Sequence, residues 1–450
     1  MTAILATCLV GGCGRSDAGG GGRPTIILIT LDTTRADHLG CYGYARPTSP
    51  NLDRLAAESL VYDRAIAPGT WTLPSHASLF TGKFTASHGM RYDPEGSLQL
   101  TSAIDGPQAW GHYRARALAK NERTLAMVLR EHGYATGAVV AGPWLKRVFG
   151  LDRGFDHFDD DHITSLAGRR ADNVTDKALQ WLAASEGAPR FGFLNYFDPH
   201  GPYMAPEDFE RRFFTEIGLS ASDELSEQAA REAAYDAEIR YMDHHLGRLF
   251  DGLRTLGLYE DAWIIVTADH GELLGEHGEL GHGDTPWQEV VHVPLIVKAP
   301  GPDPPRGRRG AWLQLIDVMP MILDGLGIEW PADIQGGSAP DVGHPIMIES
   351  RTLPLFMKNG DWMAWIDDGV KYIWNSRGAH RLFDLDADPS ELTDLIDDHE
   401  TRVRSIQKAM HAYLVSLPGP GSEGEGGVVD KDTMDALRSL GYTSPANRHD

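Results

Sequence analysis

The chain has 450 residues, 42% of them hydrophobic and 23% charged, enough to build a sizeable buried core. Lys and Arg number 41 against 64 Asp and Glu, a formal charge of -23, which argues against a nucleic-acid partner held by counterion release and demands local positive charge wherever an anion binds. Three Cys, at positions 8, 13 and 41, are too few for a disulfide framework.

The first thirteen residues form a short apolar segment ending in small side chains. Val10-Gly11-Gly12-Cys13 resembles the lipobox of a bacterial lipoprotein, with Cys13 as the lipidated residue, and Gly19 to Gly22 reads as a flexible tether. The resemblance implies export, to the periplasm or as a membrane-anchored lipoprotein. A disordered cytosolic N-terminus is the alternative, because no Lys or Arg precedes the apolar stretch. No later apolar run approaches the ~18 residues of a membrane span, so membrane contact is expected only through a lipid anchor.

Ile26 to Leu31 is a continuous apolar run, the pattern of a central parallel strand covered on both faces. Further strands are expected at Ala138 to Val140, Phe191 to Tyr196, Trp263 to Thr267 and Pro294 to Lys298. Helical patterns lie between them, at Asn51 to Glu58, Thr124 to His132, Ala171 to Ala184 and from about Ala221 to Leu256. This alternation predicts an α/β sandwich with a large, mostly parallel sheet flanked by helices. Beyond Gly336 the segments shorten: Trp362 to Ile366 and Val370 to Trp374 flank an Asp-Gly turn and read as a hairpin. A strand at Arg381 to Leu385 and a helix from Glu400 to Leu417 complete a small antiparallel C-terminal subdomain. The expected organisation is a signal and tether over 1–23, a catalytic domain over 24–340, the antiparallel subdomain over 341–417, and a linker and tail over 418–450.

Asp32 directly follows the first strand and is a hard oxygen donor suited to Ca²⁺, Mg²⁺ or Mn²⁺; equally, it could cap the next helix. Asp269-His270 follows another strand and adds a carboxylate and an imidazole, a set that also suits Mn²⁺ or Zn²⁺, with capping again the alternative. Ligands bind at the carboxyl ends of strands in open α/β sheets, which makes one candidate site of these separate motifs. Thr72 precedes Pro74, a residue at home in a first helical turn. A hydroxyl there lies beside unpaired N–H groups that stabilise an anion, and cation coordination would make it a nucleophile. A plain N-cap threonine is the other reading.

Pro24 to Asp37, Thr72-Leu73-Pro74-Ser75-His76 running into Thr81-Gly82, Asp198-Pro199-His200-Gly201-Pro202-Tyr203, Asp269-His270-Gly271 with Gly275-Glu276-His277-Gly278, Val293 to Val297, and Leu382 to Pro389 occur in that order. Together they resemble the sulfatase family of the alkaline phosphatase superfamily, over roughly residues 24 to 410. The resemblance implies an alkaline-phosphatase-like sandwich and one divalent cation, Ca²⁺ or Mn²⁺ ahead of Mg²⁺ or Zn²⁺, on Asp32, Thr72, Asp269 and His270. It makes Thr72 the nucleophile and places His200 and His282 on the substrate, with His282 or His76 protonating the leaving group. Arg35 is either an anion contact or an exposed salt-bridging residue. A second cation on Asp198, His200 and His282 is a further option.

Departures from the pattern bear on the chemistry. Sulfatases oxidise a Cys or Ser to formylglycine; Thr72 is a secondary alcohol and cannot become that aldehyde, so no formylglycine is expected. His76 stands in place of the signature Arg, His282 in place of a Lys, and Thr33 in place of a second Asp. The basic pair expected near Gly133-Tyr134-Ala135-Thr136 is missing. The sequence therefore predicts a metal-dependent hydrolase of anionic esters, with a carbohydrate-linked substrate as one option. Chemistry favours phosphoesters or phosphonates, and the resemblance favours sulfate esters. A phosphoryl transferase acting on an envelope glycan or lipid and a non-catalytic glycan-binding relative are the rivals. His244-His245 is read as solvated helix surface, Cys41 as a small buried apolar residue, and Trp362, Trp365 and Trp374 as one packed hairpin face or an aromatic platform for a sugar. Asp93 to Lys120 is expected to shape the mouth of the site, without a motif of its own.

Overall fold

Seven consecutive buried residues, TIILITL, make the strand β1 (Thr25–Leu31), whose apolar side chains are covered on both faces. The computed structural model describes residues 23–219, 224–338 and 342–420, so the expected lipidation at Cys13 and most of the linker after Pro418 lie outside the described residues. Around β1 a nine-stranded sheet assembles from β2 (Leu60–Ile66), β3 (Ala135–Val139), β4 (His157–Asp159), β5 (Arg190–Tyr196), β6 (Ala262–Thr267), β7 (His292–Val293), β8 (Leu295–Lys298) and β9 (Gly307–Gln314). The order is β7-β2-β8-β6-β1-β5-β3-β4, with β9 alongside β2. β1 runs parallel to both neighbours, whereas β8 is antiparallel to β6 and β2. The sheet is mostly parallel and mixed at one side, as the alternating pattern predicted.

Helices α1 (Pro50–Ala57), α2 (Thr72–Thr81), α3 (Ala171–Ala184) and the 29-residue α4 (Glu227–Thr255) flank it. Ser226 caps α4 by accepting from the Ala229 N–H at 3.2 Å. Asp243, buried within α4, accepts from the N–H groups of Asn51 and Leu52 and so satisfies the start of α1 from another helix. No helix among the described residues is long and apolar enough to cross a membrane.

β2 and β9 were not expected from the sequence. Tyr62-Asp63-Arg64 breaks the apolar run of β2, and β9 is exposed over Arg308 and Arg309, with its register against β2 shifting between Arg309 and Trp312.

A second sheet, β10 (Ile346–Ser350), β11 (Trp362–Asp367), β12 (Val370–Asn375) and β13 (Arg381–Asp384), is wholly antiparallel. The β11–β12 hairpin turns at Asp368-Gly369, both with positive φ (47° and 72°), as a two-residue turn of this kind requires. Strand alternation splits the three tryptophans. Trp365 and Trp374 face the helix α5 (Glu400–Ser416) with Met410 and Leu414, while Trp362 faces Ile66, Val290 and Val291 of the main body. All three are buried, which corrects the single-face reading and leaves no exposed platform for a sugar. Cys41 is half-buried, with burial first among the causes pushing its thiol up to about 12.

Where the second sheet meets the first body, Lys371 on β12 and Glu391 form an ion pair at 2.8 Å with both side chains wholly buried. Glu391 also accepts from the Gln288 N–H. Lys371→Met would leave Glu391 buried without its cation and is expected to cost about 3–5 kcal/mol. Urea unfolding of this variant beside Lys371→Met/Glu391→Gln, which should recover part of the loss, checks it.

Candidate active site

β1 and β6 pair in the register Thr30 to Thr267, so the residues two positions further on, Asp32 and Asp269, leave the sheet at the same level. Asn195 of β5 lies opposite Thr30 on the other side. Asp32, Asp269 and His270 are fully buried. Asp269 Oδ1 accepts from the N–H groups of His270 (3.0 Å) and Thr33 (3.3 Å). By contrast, both Asp32 oxygens and Asp269 Oδ2 have no hydrogen-bond partner. Burial first, then the charges of Asp269 and Glu272, push the Asp32 carboxyl well above its ordinary value. Burial likewise raises Asp269.

His270 donates from Nδ1 to the Gly271 carbonyl at 3.0 Å, which leaves the Nε2 lone pair facing the carboxylates, 3.4 Å from Asp269 Oδ2 and 4.0 Å from Asp32 Oδ1. One atom from each of these residues falls within 4.8 Å of the others, the one such donor cluster among the described residues. Buried carboxylate oxygens without partners are costly unless a cation joins them. The residues present therefore fit a divalent cation, with the hard-oxygen and imidazole donors expected of such a site. The capping alternative for Asp32 is not what the structure shows, since its oxygens bond to no backbone N–H.

Thr72 is the first residue of α2, behind a Trp71 N-cap that makes no side-chain cap. Its Oγ1 is not spent on the helix and lies 3.4 Å from His270 Nε2. A threonine that merely capped would bond the next turn; this one faces the donor cluster. Thr33 adopts φ 54°, a left-handed conformation that a β-branched residue strains to hold. Its N–H goes to Asp269, and its carbonyl accepts from the Tyr235 hydroxyl at 2.7 Å. Tyr235 also accepts from the Arg35 N–H at 2.9 Å.

Three expectations are corrected. His76 is buried, and both ring nitrogens are engaged: Nδ1–H donates to the Thr72 carbonyl at 2.8 Å, and Nε2 accepts from Thr30 Oγ1 at 2.9 Å. Burial holds it down at about 4, and with both nitrogens engaged it is a prop beneath Thr72 with no N–H directed into the cavity. Arg35 is neither exposed nor in the cavity wall; its guanidinium binds Asp37 at 2.7 Å, Glu276 at 2.6 Å and the Glu272 carbonyl at 3.2 Å. The second cation site is not assembled either. Asp198 Oδ1 accepts from the Ala171 N–H at 3.0 Å, serving the start of α3. His244 and His245 belong to no donor cluster among the described residues.

Thr72, His200 and His282 line a cavity of about 430 Å³. His282 Nδ1–H donates to Glu272 Oε1 at 2.9 Å. Burial opposes its charge, but Glu272 and Asp269 outweigh that and raise its pKa, and Nε2 makes no hydrogen bond to the protein. His200 stacks on Phe197 with ring centroids 4.3 Å apart and donates from Nδ1 to the Gly201 carbonyl; burial, then His282, hold it down at about 4. Leu100, Trp110 and Tyr113 enter the lining from the segment expected to shape the mouth. Sequence reasoning gave Glu272 no role and missed Asn195. Glu272 adjoins the Asp269-His270 motif, and Asn195, whose Nδ2 donates to Thr30 Oγ1 at 3.2 Å, is a buried amide at a strand end, so both carried a signal.

Residues 24–328 match the profile of the sulfatase family. The chain belongs to that family and is a sulfatase-type hydrolase of sulfuric or phosphoric esters. It is similar to the arylsulfatase of Clostridium perfringens, 25% identical, across 85% of this chain and 92% of that one. The structure of BT4656 in complex with its substrate D-glucosamine-2-N,6-O-disulfate superposes with a TM-score of 0.70 at 18% identity, covering 89% of this chain and 100% of the other. The phosphonate monoester hydrolase of Agrobacterium radiobacter superposes at 0.66 and 20% identity, covering 87% and 95%. At these identities the two structures establish the shared fold.

Asp198 supplies a test of the local electrostatics. Burial raises its carboxyl from an ordinary 3.8 to about 7, and its Oδ2 has no partner. Between those values the unfolded chain ionises and the folded chain does not, so this residue's contribution to stability falls as pH rises through the window and levels off above it. Asp198→Asn keeps an oxygen for the Ala171 N–H. It is expected to gain stability relative to wild type as pH goes from 4 to 8, as read by urea midpoints across that range.

Proposed function

We propose that this sulfatase-family hydrolase cleaves phosphoesters or phosphonates, with Thr72 Oγ1 as nucleophile. The observation that carries the reading is the uncapped, buried Thr72 hydroxyl placed 3.4 Å from His270 Nε2, at the boundary between the carboxylate cluster and the cavity. Asp32, Asp269 and His270 would hold one divalent cation, with Thr72 completing the set. Bound there, such a cation would offset the buried carboxylates, lower the pKa of the Thr72 hydroxyl and draw in the anionic oxygens of the ester.

Thr72 Oγ1, whose proton goes to solvent once its pKa is lowered, attacks phosphorus as the P–O bond to the alcohol breaks, and the alcohol leaves with a proton from His282 Nε2. Water then attacks phosphorus, passes a proton to His282 and expels Thr72 Oγ1 in its deprotonated form. Glu272 fixes the His282 ring throughout and keeps Nδ1 protonated. An anion beside His200 Nε2 favours its imidazolium, adding a second donor to the non-bridging oxygens. His76 supports the Thr72 carbonyl from below.

The side chain itself argues for phosphorus. Oxidation of a secondary alcohol gives a ketone, so the aldehyde-hydrate route for expelling sulfate is closed to Thr72, whereas in-line displacement resolves a phosphothreonine readily. A shared fold with a phosphonate monoester hydrolase is consistent with this. Sulfate-ester cleavage is the second reading, favoured by the family itself and by the neighbouring complex with a disulfated glucosamine.

Nitrophenyl phosphate, phosphodiester, phosphonate and sulfate, each assayed with Mn²⁺, Ca²⁺, Mg²⁺ and Zn²⁺, separate the two. Turnover of phosphorus esters is expected, lost by roughly 1,000-fold or more in Thr72→Ala and retained in Thr72→Ser. Sulfate turnover alone, or activity indifferent to Thr72→Ala, would overturn the mechanism. The cation site has its own readout in thermal melts. A divalent cation at roughly 100 times its Kd should stabilise the fold by about 2.7 kcal/mol. Asp32→Asn should abolish that response while raising the midpoint of the cation-free protein, because it removes a buried carboxyl whose ionisation is opposed by burial and by Asp269.

A further inference from the structure

The cavity at Thr72 is most polar around that residue. Thr72, His200, Glu272 and His282 cluster there, with His200 and His282 ring centroids 5.0 Å apart. Apart from Arg231 the remaining wall is mainly aromatic and aliphatic, with Trp71, Trp110, Trp144, Tyr113 and Tyr203 as its large aromatic members. Trp71 and Trp144 meet edge to face at 5.1 Å, a rigid corner. Arg231 is the only Lys or Arg in the lining, and its Nη1 already donates to the Leu274 carbonyl at 2.9 Å. The apolar surface continues outward. Leu280 and Leu355 line the cavity while standing 50% and 70% exposed, and Met204, 70% exposed, adjoins the lining residue Tyr203.

We propose that the alcohol half of the substrate is a large apolar group, an alkyl-substituted arene, with the anionic ester group at Thr72 and the arene against the tryptophan corner. The proposal deepens the function proposed above and rests on its placement of the ester group at Thr72. A sugar ring against the tryptophan corner would surrender water from its hydroxyls, and away from Thr72 the side chains offer in return only Arg231, two tyrosine hydroxyls and the indole N–H groups. A polyanionic substrate would meet one engaged Arg and the field of a chain carrying -23. An arene loses apolar area from water against five aromatic side chains, and a cavity of about 430 Å³ has room for a substituted ring. Solvent-exposed leucines at the rim place apolar surface where an alkyl substituent would emerge.

The experiment has two readouts on one homologous series. Nitrophenyl-type phosphate esters carrying methyl, ethyl and propyl substituents are assayed for turnover. The corresponding 4-alkylphenols, which carry no ester, are titrated against the full chain by intrinsic tryptophan fluorescence. Affinity for the phenols is expected to rise about fourfold per methylene, and the same gain should appear in KM with kcat little changed. Leu355→Ser and Leu280→Ser alter exposed positions and are expected to flatten the series without unfolding the protein. Trp144→Ala should weaken every phenol. A flat phenol series in wild type, or glucosamine and its phosphate ester binding more tightly than propylphenol, overturns the proposal. A steep phenol series in both wild type and Thr72→Ala, with turnover unaffected by Thr72→Ala, upholds the apolar pocket and rejects Thr72 as nucleophile. Turnover dependent on Thr72 with a flat series does the reverse.

Discussion

Parallel pairing of β1 with β6, fixed at Thr30 opposite Thr267, brings two carboxylates to one level at the carboxyl edge of the sheet. A slip of one residue would send Asp32 or Asp269 to the opposite face and dissolve the site. The strand interiors hold that register, because every residue of β1 is buried and neither face can be exchanged for solvent. Apolar burial in the sheet thus sustains a polar arrangement that is unfavourable in itself: three carboxylate oxygens with no hydrogen-bonding partner at full burial.

The surroundings of this pair are organised to keep it in place and not to neutralise it. Arg35, the nearest strong cation by sequence, is turned away into Asp37 and Glu276. Tyr235 ties together the backbone on both sides of Thr34, and Thr33 holds a strained conformation that lets its N–H reach Asp269. His76 and Asn195 are linked through Thr30, so the side chain beneath Thr72 and the amide at the end of β5 share one hydroxyl. Charge that can respond to substrate is confined to the cavity side, where His282 leans on Glu272.

Much of this was legible in the sequence, and the exceptions have physical causes. Continuous apolar runs exposed β1, β5 and β6, and the motifs at their ends located Asp32, Asp269 and His270. β2 escaped because Asp63 and Arg64 interrupt it, and β9 because its outer half is solvated. Roles that depend on what a side chain touches were beyond a linear reading. His76 looked like a proton donor until both its nitrogens were accounted for, and Asp198 like a ligand until the start of α3 claimed it. The aromatic cavity left no pattern at all, since Trp71, Trp110, Trp144 and Leu355 come from four separate connecting segments.

The loop that carries Thr72 is held from an unexpected direction. Thr70 Oγ1 donates to Ser350 Oγ at 2.7 Å, and the Glu349 N–H donates to the Pro68 carbonyl at 3.0 Å, so β10 of the second sheet grips the approach to α2. Asp32, Thr72, His200, Asp269, His270 and His282 all precede Gly283 in the chain, yet the loop before Thr72 gains these two bonds only when residues 349 and 350 arrive. During synthesis from the N-terminus, the whole donor cluster is therefore present well before β10 can add these two bonds, so the approach to α2 is completed by a late part of the chain.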